Sequence, residues 1–180
     1  MSSLASDIPA ALTAKDVVEG GQQIRTQLTI CDTATSDGGR TLLNYYQSHQ
    51  ARGVLPKRTD MPCRELLGIM PDLFMLEPVD AAGHDWRFRL VGQGLVEHVG
   101  VDATGLCISQ AYEAEDAKRN AGDYRDIAMN GNTRITRGTF HGIDREFLQM
   151  QIVHVPMVGL DGVTPWVLGG LFVQPAPGAI

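Results

Sequence analysis

The residues with the most chemical potential are Cys107, five histidines, two strand arginines and a run of glycines. Cys107 stands in Gly105-Leu106-Cys107-Ile108-Ser109-Gln110, where a thiol could act as a nucleophile or adduct former; alternatively it is a small buried apolar side chain. His49, His84, His98, His141 and His154 show no HxH or HExxH spacing, so no zinc signature is present. A single neutral imidazole can still ligate iron, and His98, His141 and His154 are the candidates. Arg87 and Arg89 alternate with Trp86, Phe88 and Leu90. They share one strand face, where a guanidinium can pair with an acid such as Asp60 or Glu146 or grip a ligand carboxylate. Gly92-Gln93-Gly94 is followed by Leu95-Val96-Glu97. That lacks the third glycine of a dinucleotide fingerprint, so these glycines read as turn and helix-end devices. Ser109 lacks a Gly-x-Ser-x-Gly setting, and no carboxylate pair or nucleophile–base pair is legible.

The elements that hold these residues follow from periodicity. Leu73–Pro78 and Trp86–Val91 read as a hairpin around the turn Val79-Asp80-Ala81-Ala82-Gly83-His84. Glu113–Asn130 has acids at its front, Ala117, Ala121, Tyr124, Ile127 and Ala128 at helical spacing, and Gly131 behind it, which predicts a helix. Strands are expected over Thr133–Phe140, Glu146–Met157 and Trp166–Gln174, joined by short turns and therefore antiparallel. Upstream, Arg40–Ala51 reads as a helix and Pro62–Leu67 as a short one. Residues 1–39 are rich in small and polar residues and read as a flexible arm. Within it, Ile24, Thr26, Leu28 and Ile30 alternate with polar residues, a strand signal at 24–30 able to pair with its own sheet or with a neighbouring copy. This order gives an α+β fold with an antiparallel sheet and a half-open pocket under the long helix. Trp86, Phe88, Cys107, Tyr112, Tyr124 and Met150 are the expected ligand-contacting residues.

The strand order, together with Leu55-Pro56-Lys57-Arg58-Thr59-Asp60-Met61-Pro62, Trp86-Arg87-Phe88-Arg89-Leu90-Val91-Gly92 and Gly100-Val101-Asp102-Ala103-Thr104-Gly105, resembles a PAS domain. It is similar to bacterial proteins made of little more than one such domain (the PAS_5 type), over roughly residues 40–174. The resemblance implies a PAS-like five-stranded antiparallel sheet flanked by helices, within a single domain at 40–176. It implies a sensor or interaction module in signalling, acting through a small-molecule ligand and a signalling protein partner. It also implies a homodimer, here through the helix at 40–51, whose Leu42, Leu43, Tyr45 and Tyr46 could face a partner helix. Flavin-type members place a cysteine in an Asn-Cys-Arg-Phe-Leu-Gln-like run; here Leu106 replaces the Asn and the Arg-Phe-Leu is missing. Haem-type members take a histidine from the long helix, and 113–130 has none. No cofactor is therefore assigned, and a haem- or flavin-binding sensor stays as an alternative. An alternative is a small-molecule enzyme of the cone-shaped α+β class, distinguished by whether the strands at 73–78 and 166–174 pair.

Composition narrows the classes. The 180 residues carry a formal net charge of -6, a pI near 5.3 and a mean hydropathy of -0.08. With no basic cluster, nucleic-acid binding is not expected. No apolar run is long enough to span a membrane, and the first residues do not read as a secretory signal. Cys31, Cys63 and Cys107 are odd in number and far apart, so no disulfide framework is expected. A cytoplasmic, reduced protein is the expectation.

Overall fold

The computed structural model describes residues 9–145 and 147–174. In chain order its regular elements are β1 (Leu12–Thr13), α1 (Ala14–Gly20), β2 (Arg25–Cys31), α2 (Asp37–Ala51), β3 (Leu73–Pro78), β4 (Trp86–Val91), α3 (Gln93–Val99), β5 (Val101–Asp102), α4 (Ile108–Ala111), α5 (Ala114–Asn130), β6 (Arg134–His141), β7 (Phe147–Val158) and β8 (Pro165–Val173). Two 3₁₀ segments, Arg58–Asp60 and Arg64–Asp72, replace the short helix expected near residue 62. Pro71 inside the second lacks the N–H an α-helix would use.

One antiparallel sheet has the order β2-β6-β7-β8-β3-β4, and β1 and β5 form a separate parallel pair. The β3–β8 pairing, Leu73 opposite Gly170 and Phe74 opposite Gly169, is the one that the resemblance requires. The sheet has six strands rather than the expected five. The extra one is β2, from the segment read as an arm, which pairs with β6 from Arg25↔His141 to Cys31↔Ile135. Its alternation provides the reason: Thr26 and Leu28 face inward while Arg25, Gln27 and Thr29 stay exposed. From Leu12 onward the arm thus carries structure. The start of the expected strand at Glu146, the proposed pairing of an arginine with Glu146, and the domain limit at 176 lie outside the described residues, as do residues 1–8.

Both sheet faces are covered. On one, α2 packs Leu42, Tyr45 and Tyr46 onto Leu73, Met75, Val153, Val155 and Leu168. Its N-terminus is pinned by a fully buried glutamine on β7. Gln151 Oε1 accepts from the N–H of Thr35 (3.0 Å), the N–H of Ser36 (3.0 Å) and the Ser36 hydroxyl (2.8 Å). Ser36 Oγ in turn caps the helix by accepting from Gly39 N–H at 3.0 Å. This corrects the expected homodimer surface. The apolar set of 40–51 is not free for a partner helix, because Leu42, Tyr45 and Tyr46 are buried on their own sheet and Leu43 packs at the margin of the same cluster.

On the other face, α3, α4 and α5 cover Phe74, Leu76, Trp86, Phe88, Ile152 and Leu171. Ala117 and Ala121 let α5 approach closely, while Tyr124 and Ile127 reach into the core. Gly92 caps the start of α3 and Gly100 its end, the latter at φ 84°. A Cβ on Gly100 would sit 2.1 Å from the Ile143 carbonyl oxygen, so this glycine serves both backbone handedness and close approach.

Arg87 and Arg89 both reach Glu77 on the neighbouring strand, at 3.6 and 3.7 Å. Their partner is Glu77 rather than Asp60. The arginine side chains are exposed, Glu77 is half-buried and the contacts are long, so Arg87→Ala should change the unfolding free energy by less than about 1 kcal/mol, with the difference shrinking in salt. Urea melts at two ionic strengths check this.

Candidate functional site

A cavity of about 230 Å³ lies between the sheet and the layer of α3 and α5. Its body is apolar: Phe74, Phe88, Val99, Phe140, Ile152 and Leu171 form the walls. A third side comes from β2, which contributes Thr26, Leu28 and Ile30, with Ile24 just before it. Gly138 makes that wall possible. It stands opposite Leu28, and a Cβ there would sit 2.0 Å from the Gln27 carbonyl oxygen. Gly138→Val should therefore push β2 off the sheet. Amides of 25–31 are expected to lose hydrogen-exchange protection while β3, β7 and β8 keep theirs.

The polar end of the cavity gathers Arg119, Asn120, Asp123, Tyr124, Arg134, Thr136 and His154. Its cations are already paired. Arg134 bonds Asp123 at 3.0 Å and Asp126 at 3.2 Å, and Arg119 bonds Asp116 at 2.6 Å. Asp126 also accepts from Asn130 and Asn132, both at 2.9 Å, which holds its carboxyl below the usual range. Asp123 moves the opposite way, its pKa raised by burial against the pull of Arg134 and Arg119.

His154 sits on β7 directly across from Arg134. Its ring is edge-on to Phe74 at 5.6 Å and tilted against Tyr124 at 5.4 Å. Burial, aided by the Arg134 charge, pushes its pKa down to about 3, so the imidazole is neutral at physiological pH. Its Nδ1 has no hydrogen-bond partner among the described residues. Two other cavity residues share that condition: the hydroxyls of Thr26 and Thr136 are buried and unpartnered. Buried polar atoms are nearly always bonded, and exceptions call for an explanation. Apart from Tyr45 Oη, every such atom among the described residues belongs to a residue of this one cavity.

Of the six residues expected at the site, the structure brings Phe88, Tyr112 and Tyr124 to the cavity. Both tyrosine hydroxyls are raised in pKa by burial and remain protonated. Trp86 and Met150 are fully buried but belong to the surrounding core and do not line the space. Trp86 donates its indole N–H to the Gly83 carbonyl at 3.2 Å and meets the edge of Tyr124 at 6.0 Å. Cys107 lies outside the cavity as the N-cap of α4. The residues that sequence reasoning missed are Thr26, Leu28, Thr136 and the Arg119–Asp123–Arg134 group; His154 was in view only as an iron ligand.

A flavin or haem does not fit this cavity. Cys107, the position nearest the flavin-type cysteine, is not among its lining residues. A cavity of 150 Å³ holds benzene, so one of about 230 Å³ has room for a molecule far smaller than either cofactor. No group of three or more His, Cys, Asp or Glu side chains suited to a metal occurs among the described residues. No helix among them is long and apolar enough to cross a membrane.

A family model described as a PAS domain, the PAS_5 type, matches residues 34–172. No curated protein and no solved structure matches the chain.

Proposed function

The chain belongs to the PAS domain family, and from that premise we propose that it is a sensor module that holds a small molecule in the cavity beneath α5. It passes the bound state to a signalling protein partner. The observation that carries this reading is the cavity itself, about 230 Å³ with walls of Phe74, Phe88, Phe140, Ile152 and Leu171 and a polar end at Arg119, Asp123, Arg134 and His154. The surface readout runs through β2. Thr26 and Leu28 touch the cavity while Arg25, Gln27 and Thr29 on the opposite face are exposed, so occupancy and the stability of this edge strand are linked.

Native mass spectrometry of the full chain purified from its own cells tests the reading. A small bound mass that disappears on denaturation is the expected result, and the same spectrum reports the oligomeric state. Only the bare chain mass, together with no rise in melting temperature when a small-molecule extract of those cells is added, would overturn it.

A further inference from the structure

Resting on that reading, we propose that the bound molecule enters and leaves through a mouth between β2 and α5, with Ile30 as its gate. Residues 12–31 form a strap, and the C-terminal half of β2 is the part that opens.

The mouth is located by exposure. Thr26, Leu28 and Ile30 lie on one face of β2, the face that lines the cavity. Ile30 is nevertheless 64% exposed, so the cavity reaches solvent at that end of the strand. The α5 residues of the same lining agree: Arg119 is exposed, and Asn120 and Asp123 are half-buried. The opposite walls, Phe74, Phe140, Ile152 and Leu171, are buried.

The moving part follows from how each rim is held. Helix α5 is fixed, because it buries Tyr124 and Ile127 in the core and ties Asp123 and Asp126 to Arg134 at the start of β6. Strand β2 is at the edge of the sheet, with β6 as its one neighbour there. The strap is anchored at both ends. On the N-terminal side β1 pairs with β5 and Val17 is buried. The Ile24 N–H donates to the Ala111 carbonyl at 2.8 Å, and Gln23 Nε2 donates to the Tyr112 carbonyl at 3.0 Å. On the C-terminal side the Thr35 and Ser36 N–H groups donate to Gln151. Between these anchors Thr29, Ile30 and Cys31 pair with Arg137, Thr136 and Ile135 of β6. Local opening of an edge-strand end needs far less free energy than opening the core, and the two anchors return the strap to its place. The strap lies ahead of residues 34–172, the part matched to the family, so the gate is built from sequence outside the family domain.

The test uses para-ethylphenol, a molecule of about nine non-hydrogen atoms, sized to this cavity by scaling from one that accepts benzene. Methyl line shapes of the full chain during its titration give the on and off rates. Ile30→Ala should raise both rates together, about fivefold each, as expected for removing a partly covered aliphatic side chain from the path. Ile30→Trp should lower both. Asp126→Asn loosens the tie between α5 and β6 and should leave both rates within about twofold of the parent chain. The melting temperatures of the free variants check that each is folded. A rise in the off rate alone in Ile30→Ala would make Ile30 a wall and overturn its role as gate. Faster exchange in Asp126→Asn, with Ile30→Ala at parent rates, would make α5 the door and overturn the strap. Either result leaves the cavity's sensing role standing. No binding of the probe to the parent chain would overturn the mouth and the sensing role together.

Discussion

Trp86→Ala should lower the free energy of unfolding by about 4 kcal/mol, the cost of removing a large buried aromatic and leaving a cavity. Trp86 has no exposed surface and packs inside the cluster formed by β3, β4, α5 and β8. Truncation also removes its indole bond to Gly83 and its edge contact with Tyr124. For a domain of this size the shift corresponds to roughly 10 °C in melting temperature. Trp86→Phe keeps most of the volume and should cost about 1–2 kcal/mol. Because Trp86 does not line the cavity, Trp86→Phe should leave probe affinity within about twofold of the parent chain, a difference below half a kcal/mol. A larger change in affinity than in stability would mean that the indole reaches the ligand. Urea unfolding and ligand titration on the same two variants separate these outcomes.

The second large effect is acid sensitivity. The unfolded chain protonates His154 near its ordinary pKa of 6.5, whereas the folded chain resists protonation until about pH 3. Above pH 6.5 both states are neutral there and the residue contributes nothing to pH dependence. Between 6.5 and 3 the unfolded state binds the proton and the folded state does not, so stability falls as pH falls, by about 1.4 kcal/mol per unit. At pH 4.5 the loss from this residue is about 3 kcal/mol relative to pH 7. Carboxyls held low by hydrogen bonds, Asp80, Asp126 and Asp161, add loss in the same direction. Asp72 and Asp123, raised by burial, act against it. The difference between the parent chain and His154→Gln isolates the imidazole. The variant should lack about 3 kcal/mol of the drop between pH 7 and 4.5, seen in urea melts at both pH values. Equal drops in the two proteins would show that His154 takes up its proton in the folded state near its ordinary pKa.

The sequence carried the sheet further than it carried the site. The strands at 73–78 and 86–91 were readable because alternation and a turn of Asp, Gly and His residues bound them. The helix α5 was readable because Ala117, Ala121, Tyr124, Ile127 and Ala128 recur on one face. Alternation at 24–30 also announced β2. Its docking on β6 did not follow, since pairing depends on Gly138 and on the open edge of a strand more than a hundred residues away. Helix α2 was located correctly, but its apolar stripe was assigned to a partner copy. Periodicity reports that a face is buried and is silent on what buries it.

The site divides along the same line. Tyr112, Tyr124 and Phe88 were found as aromatic residues near the expected pocket, whereas Trp86 and Met150 belong to the same apolar class and fill core. Residue type does not distinguish a wall that faces empty space from one that faces another side chain. Thr136 was missed because a threonine in a strand is ordinary; only its place on the cavity wall, diagonal to His154 in the β6–β7 register, marks it. The arginines that drew notice, Arg87 and Arg89, meet Glu77 on the outside. The ones that shape the site, Arg119 and Arg134, sit at a helix position and a strand start that carry no special pattern.

On the proposed function, a small molecule binds in the cavity between the sheet and α5. Methyl chemical shifts of the full chain during titration with para-ethylphenol test it most directly. Methyls of Leu28, Val99, Ile152 and Leu171 line the cavity, whereas those of Leu42, Val153 and Leu168 lie on the α2 face. The expected result is saturable movement of the first set with the second unmoved; movement of the α2-face methyls alone, or of none, would contradict it.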